Sequence, residues 1–402
     1  MRNALSVALA LAAPLLPVLP ARAADVSFDP VFTVSAERSD DVLASAGGAG
    51  LAANQSDVAL TIEARLALLR RTPRGEISLV YHPLHEAYQD FDQLDNTSHR
   101  LLLGWTSQFS RRSEWEASLA YSRVERQRVD FDNPGQDLVV LPRTTLDTFA
   151  ATAQLRQAVS RRSRLLLYGS VAGNRYDSGQ TTGLPLDDVT TTSAQVGWEF
   201  DLGPLTVLGV SFYGSRLDEG FRGERDVLRL LGVYRRATEN RSLTFSAGAA
   251  RTLINDPGQG VPADARIDEP TDLVGSLSWQ KTFRRRGQVQ VDLYRDVTSS
   301  GGTGGSSLST GGFLALRTPT GRWSSFALFG RYDRREPQQG QVAAFATTTV
   351  SYRAEWSAAF GPRWHLVAAG ERFDQSSDEQ LLDRNYTIWS LGLRYSPLAR
   401  GR

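Results

Sequence analysis

The chain contains no cysteine. That excludes structural disulfides, thiolate metal sites and cysteine nucleophiles, and it suits an envelope protein that does without disulfides. Histidine is scarce, with four in 402 residues. Lys281 is the single lysine, so arginine carries almost all the positive charge. An excess of either sign is also missing. The formal net charge is +1, from 45 basic and 44 acidic residues. Setting aside Arg2 and Arg22 of the leader described below makes it −1, and this balance forms no nucleic-acid footprint. Long apolar runs are absent after Ala24. Mean hydropathy is −0.30, and no later stretch approaches the ~20 apolar residues that a membrane helix needs.

The start of the chain is different. Met1-Arg2-Asn3 precedes an apolar run from Ala4 to about Leu19, broken by Pro14 and Pro17, and small residues stand at Ala21 and Ala23. This pattern predicts a secretory signal peptide, residues 1–23, cut after Ala23. An export signal with no later apolar helix leaves a periplasmic, secreted or barrel protein for residues 24–402.

The remaining sequence alternates in polarity over segments of roughly ten residues or a little more. In Glu114 to Tyr121, Trp115, Ala117, Leu119 and Tyr121 share one face, opposite Glu114, Glu116, Ser118 and Ala120. Successive strand side chains point to opposite faces, so this is a strand with one apolar and one polar face. The same dyad recurs in Val58 to Leu68, Ala194 to Asp201, Gln288 to Leu293 and Thr347 to Trp356.

The separators alternate between short and long. Thr72-Pro73-Arg74-Gly75, Ser110-Arg111-Arg112-Ser113 and Gly361-Pro362-Arg363 are short; Asp130 to Arg143, Asp177 to Asp188, Asn255 to Glu269 and Ser299 to Ser309 are long. Eight short turns predict eight hairpins, the first about Ser56 to Gln89 and the last about Ala343 to Gln375. A first strand near Val26 to Arg38 and a last near Arg384 to Ser396 complete the set. The expectation is an all-β, antiparallel, up-and-down transmembrane barrel of about 18 strands (16–18) in the outer membrane of a Gram-negative bacterium, forming one domain. Its short turns are periplasmic and its longer loops extracellular.

Soluble β architectures fit less well. A sandwich buries one face of each sheet, whereas here nearly every segment offers an apolar face and carries charge on the other. A soluble barrel of about 18 strands would have to fill a lumen too wide for side chains. Apolar-out and polar-in resolves this. Trp105, Trp115, Trp198, Trp323, Trp356, Trp364, Trp389 and Tyr395 lie near turns or strand ends, where interfacial belts collect aromatics, although strands favour aromatics in any case. The last strand, with Trp389, Leu391, Leu393 and Tyr395 on one face, is similar to the C-terminal signal read by the barrel assembly machinery, and Ser396 to Arg402 follow it.

Catalytic and metal chemistry finds little footing. His82 and His85 are three apart in a strand, so they face opposite sides and cannot share a metal. No histidine stands beside a recurring serine and acid, and no enzyme or cofactor is expected, although a spatial triad would not show in sequence. Gly301-Gly302-Thr303-Gly304-Gly305 lies between strands, with no lysine and no helix, so it reads as a flexible loop and not a phosphate cradle. Acids gather at Asp40-Asp41, at Asp90, Asp92 and Asp95, at Asp130 and Asp132, and at Asp187-Asp188. They read as solvated loops, with divalent ions shared with lipopolysaccharide as the sharper alternative.

The second face of the strands is the expected functional surface. Its candidates for lining a pore are Glu63, Arg65, Arg100, Glu116, Arg156, Glu199, Arg229, Asp292, Arg353, Glu355, Glu371 and Arg394. Mutual pairing to stabilise the wall is as good an account of them as solute contact. Expected partners are outer-membrane lipid and lipopolysaccharide, and the barrel assembly machinery.

Ser27 to Val42, Arg71 to Tyr81 and Tyr88 to Arg100 resemble the opening elements of the second-type β-barrel porin family, except that Asp40-Asp41 stands where the family often has Asp-Asn. Members of that family are often encoded with exopolysaccharide synthesis and export systems. The resemblance implies a conduit, or a conduit accessory, for a secreted polysaccharide, working with a periplasmic polysaccharide-export protein. It transfers no site residues. The alternative is a general or solute-selective diffusion porin; a barrel hydrolase and an adhesive barrel rank lower. Diffusion porins usually carry a constricting loop, and the loops here are of modest length, with none clearly suited to that role.

Overall fold

A computed structural model describes residues 25–41, 55–124, 145–176, 188–220, 223–255, 269–283, 286–299, 306–338, 346–378 and 383–397. The leader expected at 1–23, the acids Asp130, Asp132 and Asp187, and Gly301 to Gly305 lie outside them.

Eighteen strands follow in chain order. They are β1 (Asp25–Ser39), β2 (Asp57–Thr72), β3 (Gly75–Tyr88), β4 (Asn96–Ser110), β5 (Ser113–Val124) and β6 (Leu146–Ala158). Next come β7 (Ser163–Tyr176), β8 (Val189–Gly203), β9 (Thr206–Asp218), β10 (Glu224–Thr238), β11 (Arg241–Ile254) and β12 (Thr271–Thr282). The last six are β13 (Gln288–Ser299), β14 (Ser306–Pro319), β15 (Ser324–Pro337), β16 (Thr347–Ala359), β17 (Trp364–Ser377) and β18 (Arg384–Tyr395). Each pairs antiparallel with its sequence neighbours, and β1 pairs with β18, so the sheet closes. Full closure removes the free edges that an open sheet would leave.

The closed barrel agrees with the sequence expectation, at the upper end of the expected count. β1 and β18 end near the first and last expected strands. β13 and β14 run further than expected: they reach Ser299 and start again at Ser306, which leaves 300–305 as the connection.

Register decides which face meets lipid. Phe28, Phe32 and Val34 of β1 stand beside Leu68, Ala64 and Ile62 of β2, and the large apolar members of this set are exposed. The same holds for Val196, Phe212 and Leu230, aligned across β8, β9 and β10. Such a surface in water would far exceed the few hundred Å² that soluble monomers tolerate. It is the apolar belt of a transmembrane barrel. Among the described residues no helix is long and apolar enough to cross a membrane.

Candidate functional site

The candidate functional surface is the inner face. Eighteen strands about 4.8 Å apart and tilted by about 40° close into a ring roughly 35 Å across, backbone to backbone. A ring of this size leaves an aqueous channel unless something enters it.

Strand alternation places all twelve pore candidates on the face opposite the apolar belt. Glu63 and Arg65 stand on β2, Arg100 on β4, Glu116 on β5, Arg156 on β6, Glu199 on β8 and Arg229 on β10. Asp292 stands on β13, Arg353 and Glu355 on β16, Glu371 on β17 and Arg394 on β18.

Several of them meet charged partners across or along the strands. Arg156 reaches Glu114 at 3.1 Å, and Arg235 reaches Glu199 at 3.3 Å. Arg353 bonds Glu355 at 2.9 Å and lies 3.8 Å from Glu371. His82 bonds Glu63 at 2.8 Å, while His85 faces the other way and meets Thr97 at 2.9 Å. The two histidines are thus held apart, as their spacing in a strand requires.

A different grouping lies between β18 and β4. Thr33 of β1 pairs with Arg394 on one side and Glu63 on the other. His82 pairs with Arg100 in the next ladder. Arg394, Arg65, His82 and Arg100 therefore surround one carboxylate, Glu63. Arg65 and Arg394 form no ion pair among the described residues, so these arginines share the Glu63 carboxylate without a close partner of their own.

The main departure from expectation is at β12 and β13. Their ladder runs from Thr282↔Gln288 up to Gly275↔Arg295 and stops, although both strands continue. β13 keeps pairing with β14 as far as Ser299↔Ser306, and β14 with β15 as far as Ser307↔Pro337. The ends of β13, β14 and β15 thus part from β12 together, as a tongue still joined to the wall through β16 as far as Arg335↔Thr347.

The packing gives its direction. Val297 and Leu308 occupy positions that would face lipid in an unbroken wall. Both are buried, in one cluster with Leu217, Val227, Ala250 and Val274, which are inner-face residues of β9 to β12. The tongue has therefore turned into the lumen and lies on the inner wall. Leu273, which would have had Val297 beside it, is left 77 % exposed.

Polar contacts fasten the tongue. Arg229 Nε donates to Asp296 Oδ1 at 2.8 Å, and another of its nitrogens donates to the Val297 carbonyl at 2.5 Å. Gln338, just past β15, donates to Asp272 Oδ2 at 2.7 Å and accepts from Thr252 and Ser306. At the root, the buried Asp333 accepts from Tyr294 Oη of β13 (2.8 Å), Ser309 Oγ of β14 (2.5 Å) and Arg335 Nε of β15 (2.9 Å). Tyr294 lies over Gly311, where a Cβ would come within 2.6 Å of its hydroxyl. Only glycine leaves room for that ring on the inner face.

The expectation concerned the long loops; what lies on the inner wall here is a set of strand ends. The inner face is also less uniformly polar than expected. Phe313, Ala315 and Phe329 of β14 and β15 join Phe373, Tyr386 and Ile388 of β17 and β18 in a buried apolar cluster. The Phe373 and Tyr386 rings stack with centroids 5.0 Å apart.

Some of the described loop acids cap nearby backbone: Asp40 accepts from the Thr387 amide and Asp188 from the Tyr176 amide. Asp57 accepts from the Asp90 and Val58 amides, and Asp95 accepts from the Tyr88 amide. No cluster of three or more potential metal ligands occurs among the described residues.

No family model and no curated protein matches the chain. Solved outer-membrane porins are similar in shape at low identity. OccK2 (OpdF) of Pseudomonas aeruginosa, in a complex with glucuronate, is 12 % identical with a TM-score of 0.48, over 93 % of this chain and 99 % of that one. A BenF-like porin from Pseudomonas fluorescens Pf-5 is 9 % identical with a TM-score of 0.46, over 92 % and 99 %. OccAB1 of Acinetobacter baumannii is 12 % identical with a TM-score of 0.44, over 92 % and 96 %. Similarity this distant carries no function across.

Proposed function

We propose that this outer-membrane barrel is a passive diffusion channel for small charged solutes, with a preference for anions. The observation behind this reading is the inward-turned tongue of β13, β14 and β15. It takes up part of a lumen that is otherwise wide, and a narrowed aqueous path lined by fixed charges discriminates by size and sign. The twelve inner-face candidates would line that path. Arg65, Arg100 and Arg394 would form its anion-attracting side, and the remaining ion pairs would hold the wall.

Nothing in the wall supplies energy, so transport would follow the gradient. The polysaccharide-conduit reading, with its periplasmic partner, rests on the family resemblance alone, and no feature of the barrel favours it. The deciding test uses the folded full-length protein in planar bilayers and in liposomes loaded with solutes of graded size. Ohmic conductance with a small-solute cutoff is expected. Folded protein that passes neither ions nor small solutes would overturn the proposal.

A further inference from the structure

We infer that the outer wall near the β1–β18 closure carries a binding site for one phosphorylated glycolipid of the outer leaflet, seated by an acyl chain and an arginine. This site is on the lipid side of the wall and does not depend on what the lumen conducts.

The wall there is hollowed. A groove of about 430 Å³ runs across the outward faces of β16, β17, β18 and β1. Ala36, Ala354, Ala368 and Gly370 form its floor, and Trp356 and Trp389 stand along it. The floor is low because side chains there are small or absent. The ring of Trp389 lies against Gly370, where a Cβ would come within 2.6 Å of it. Methylenes are about the size of a water molecule, so the space suits an acyl segment on the order of ten carbons. An acyl chain fills such a channel with dispersion contacts that a flat wall would not offer.

Charge fixes the kind of lipid and the leaflet. The outward face of β1 reads Val26, Phe28, Pro30, Phe32, Val34 and Ala36, and then Arg38. At ~3.3 Å per residue and a tilt of ~40°, the ten-residue step from Val26 to Ala36 rises roughly 25 Å, the height of the apolar belt. Arg38 therefore stands at headgroup level on the side of the long loops, and it lines the groove. It is exposed and forms no ion pair among the described residues. Of the neighbouring charges, Arg372 bonds Asp374 at 3.1 Å, and Asp40 accepts from the Thr387 amide at 2.6 Å and forms no ion pair with Arg38. An exposed guanidinium without an ion pair at the mouth of an apolar groove complements a phosphate whose lipid tail enters that groove.

The test is native mass spectrometry of the full-length barrel after delipidation, titrated with a bisphosphorylated lipid A and with its dephosphorylated form. The wild type should retain one phosphorylated lipid per barrel, with the dephosphorylated form bound about tenfold more weakly. Ala368→Phe, which fills the groove, should abolish retention of both. Arg38→Glu should lower affinity for the phosphorylated form to that of the dephosphorylated one, and Arg38→Lys should largely restore it. Heat-modifiable mobility on gels confirms that each variant is folded. If Ala368→Phe does not fold, the Arg38 pair decides alone. Equal retention of both lipids by wild type and Arg38→Glu would overturn the inference. So would a wild-type oligomer that Ala368→Phe converts to monomer, because the groove would then be a subunit interface.

Discussion

Val297→Asp tests the tongue directly. Val297 is 2 % exposed and packs beneath the tongue against inner-wall residues of β9 to β12. Removing that burial costs about 1.5–3 kcal/mol, and a carboxylate in the same place adds a desolvation penalty of several kcal/mol. The Arg229 contacts to Asp296 and Val297, at about 1.5–3 kcal/mol for a charged hydrogen bond, do not offset this. A net change of about 4 kcal/mol shifts the balance between docked and undocked tongue by roughly a thousandfold. An undocked tongue can re-form its ladder with β12, and Leu273 would then regain its cross-strand neighbour. Three strands about 4.8 Å apart and about 10 Å thick cover roughly 140 Å², about one-third of a lumen ~22 Å wide inside its side chains. Single-channel conductance in planar bilayers should therefore rise about 1.5-fold. Unchanged conductance and unchanged substates, from a barrel that still shows heat-modifiable mobility, would refute the reasoning.

The charged wall and the root of the tongue give two further predictions. Arg65→Glu with Arg394→Glu should move the reversal potential in a salt gradient toward cation preference, with a permeability ratio changed by about two- to fivefold; a reversal potential that stays in place would remove these residues from the path. Asp333→Ala should cost about 3–5 kcal/mol, because Tyr294, Ser309 and Arg335 lose their shared acceptor and the buried Arg335 guanidinium loses an ion-pair partner. Urea unfolding in detergent micelles reads that loss, and a shift below about 1 kcal/mol would show that the root is held by packing alone.

The barrel was legible because its signal is local and repeated. Short turns such as Thr72-Pro73-Arg74-Gly75 give the hairpin count, and a period of two assigns Glu63, Arg353 and Arg394 to one face without any knowledge of the partner strand. The tongue was not legible for the same reason. Asp296, Val297 and Thr298 alternate as any wall strand does, and the dyad sends Val297 to lipid. Only the loss of register with β12 above Gly275 reverses its surroundings, and a cross-strand register is not written within either strand. Phe313 and Phe329 were missed differently. Apolar Leu314 and Leu328 flank them, so both faces read as apolar and the alternation gives no direction there.

The stopped ladder also bears on how the wall would come apart. The β12–β13 and β1–β18 ladders are the shortest, at eight residue pairs each, while every other ladder holds eleven or more. These two seams divide the ring into a sheet of twelve strands and a sheet of six. The smaller, β13 to β18, contains both the Asp333 junction and the Phe313 to Ile388 cluster, so it has a core of its own. Under pulling force or partial denaturation, the barrel should part at these seams into two cooperative units, and the six-strand sheet should keep its amide protection as a block.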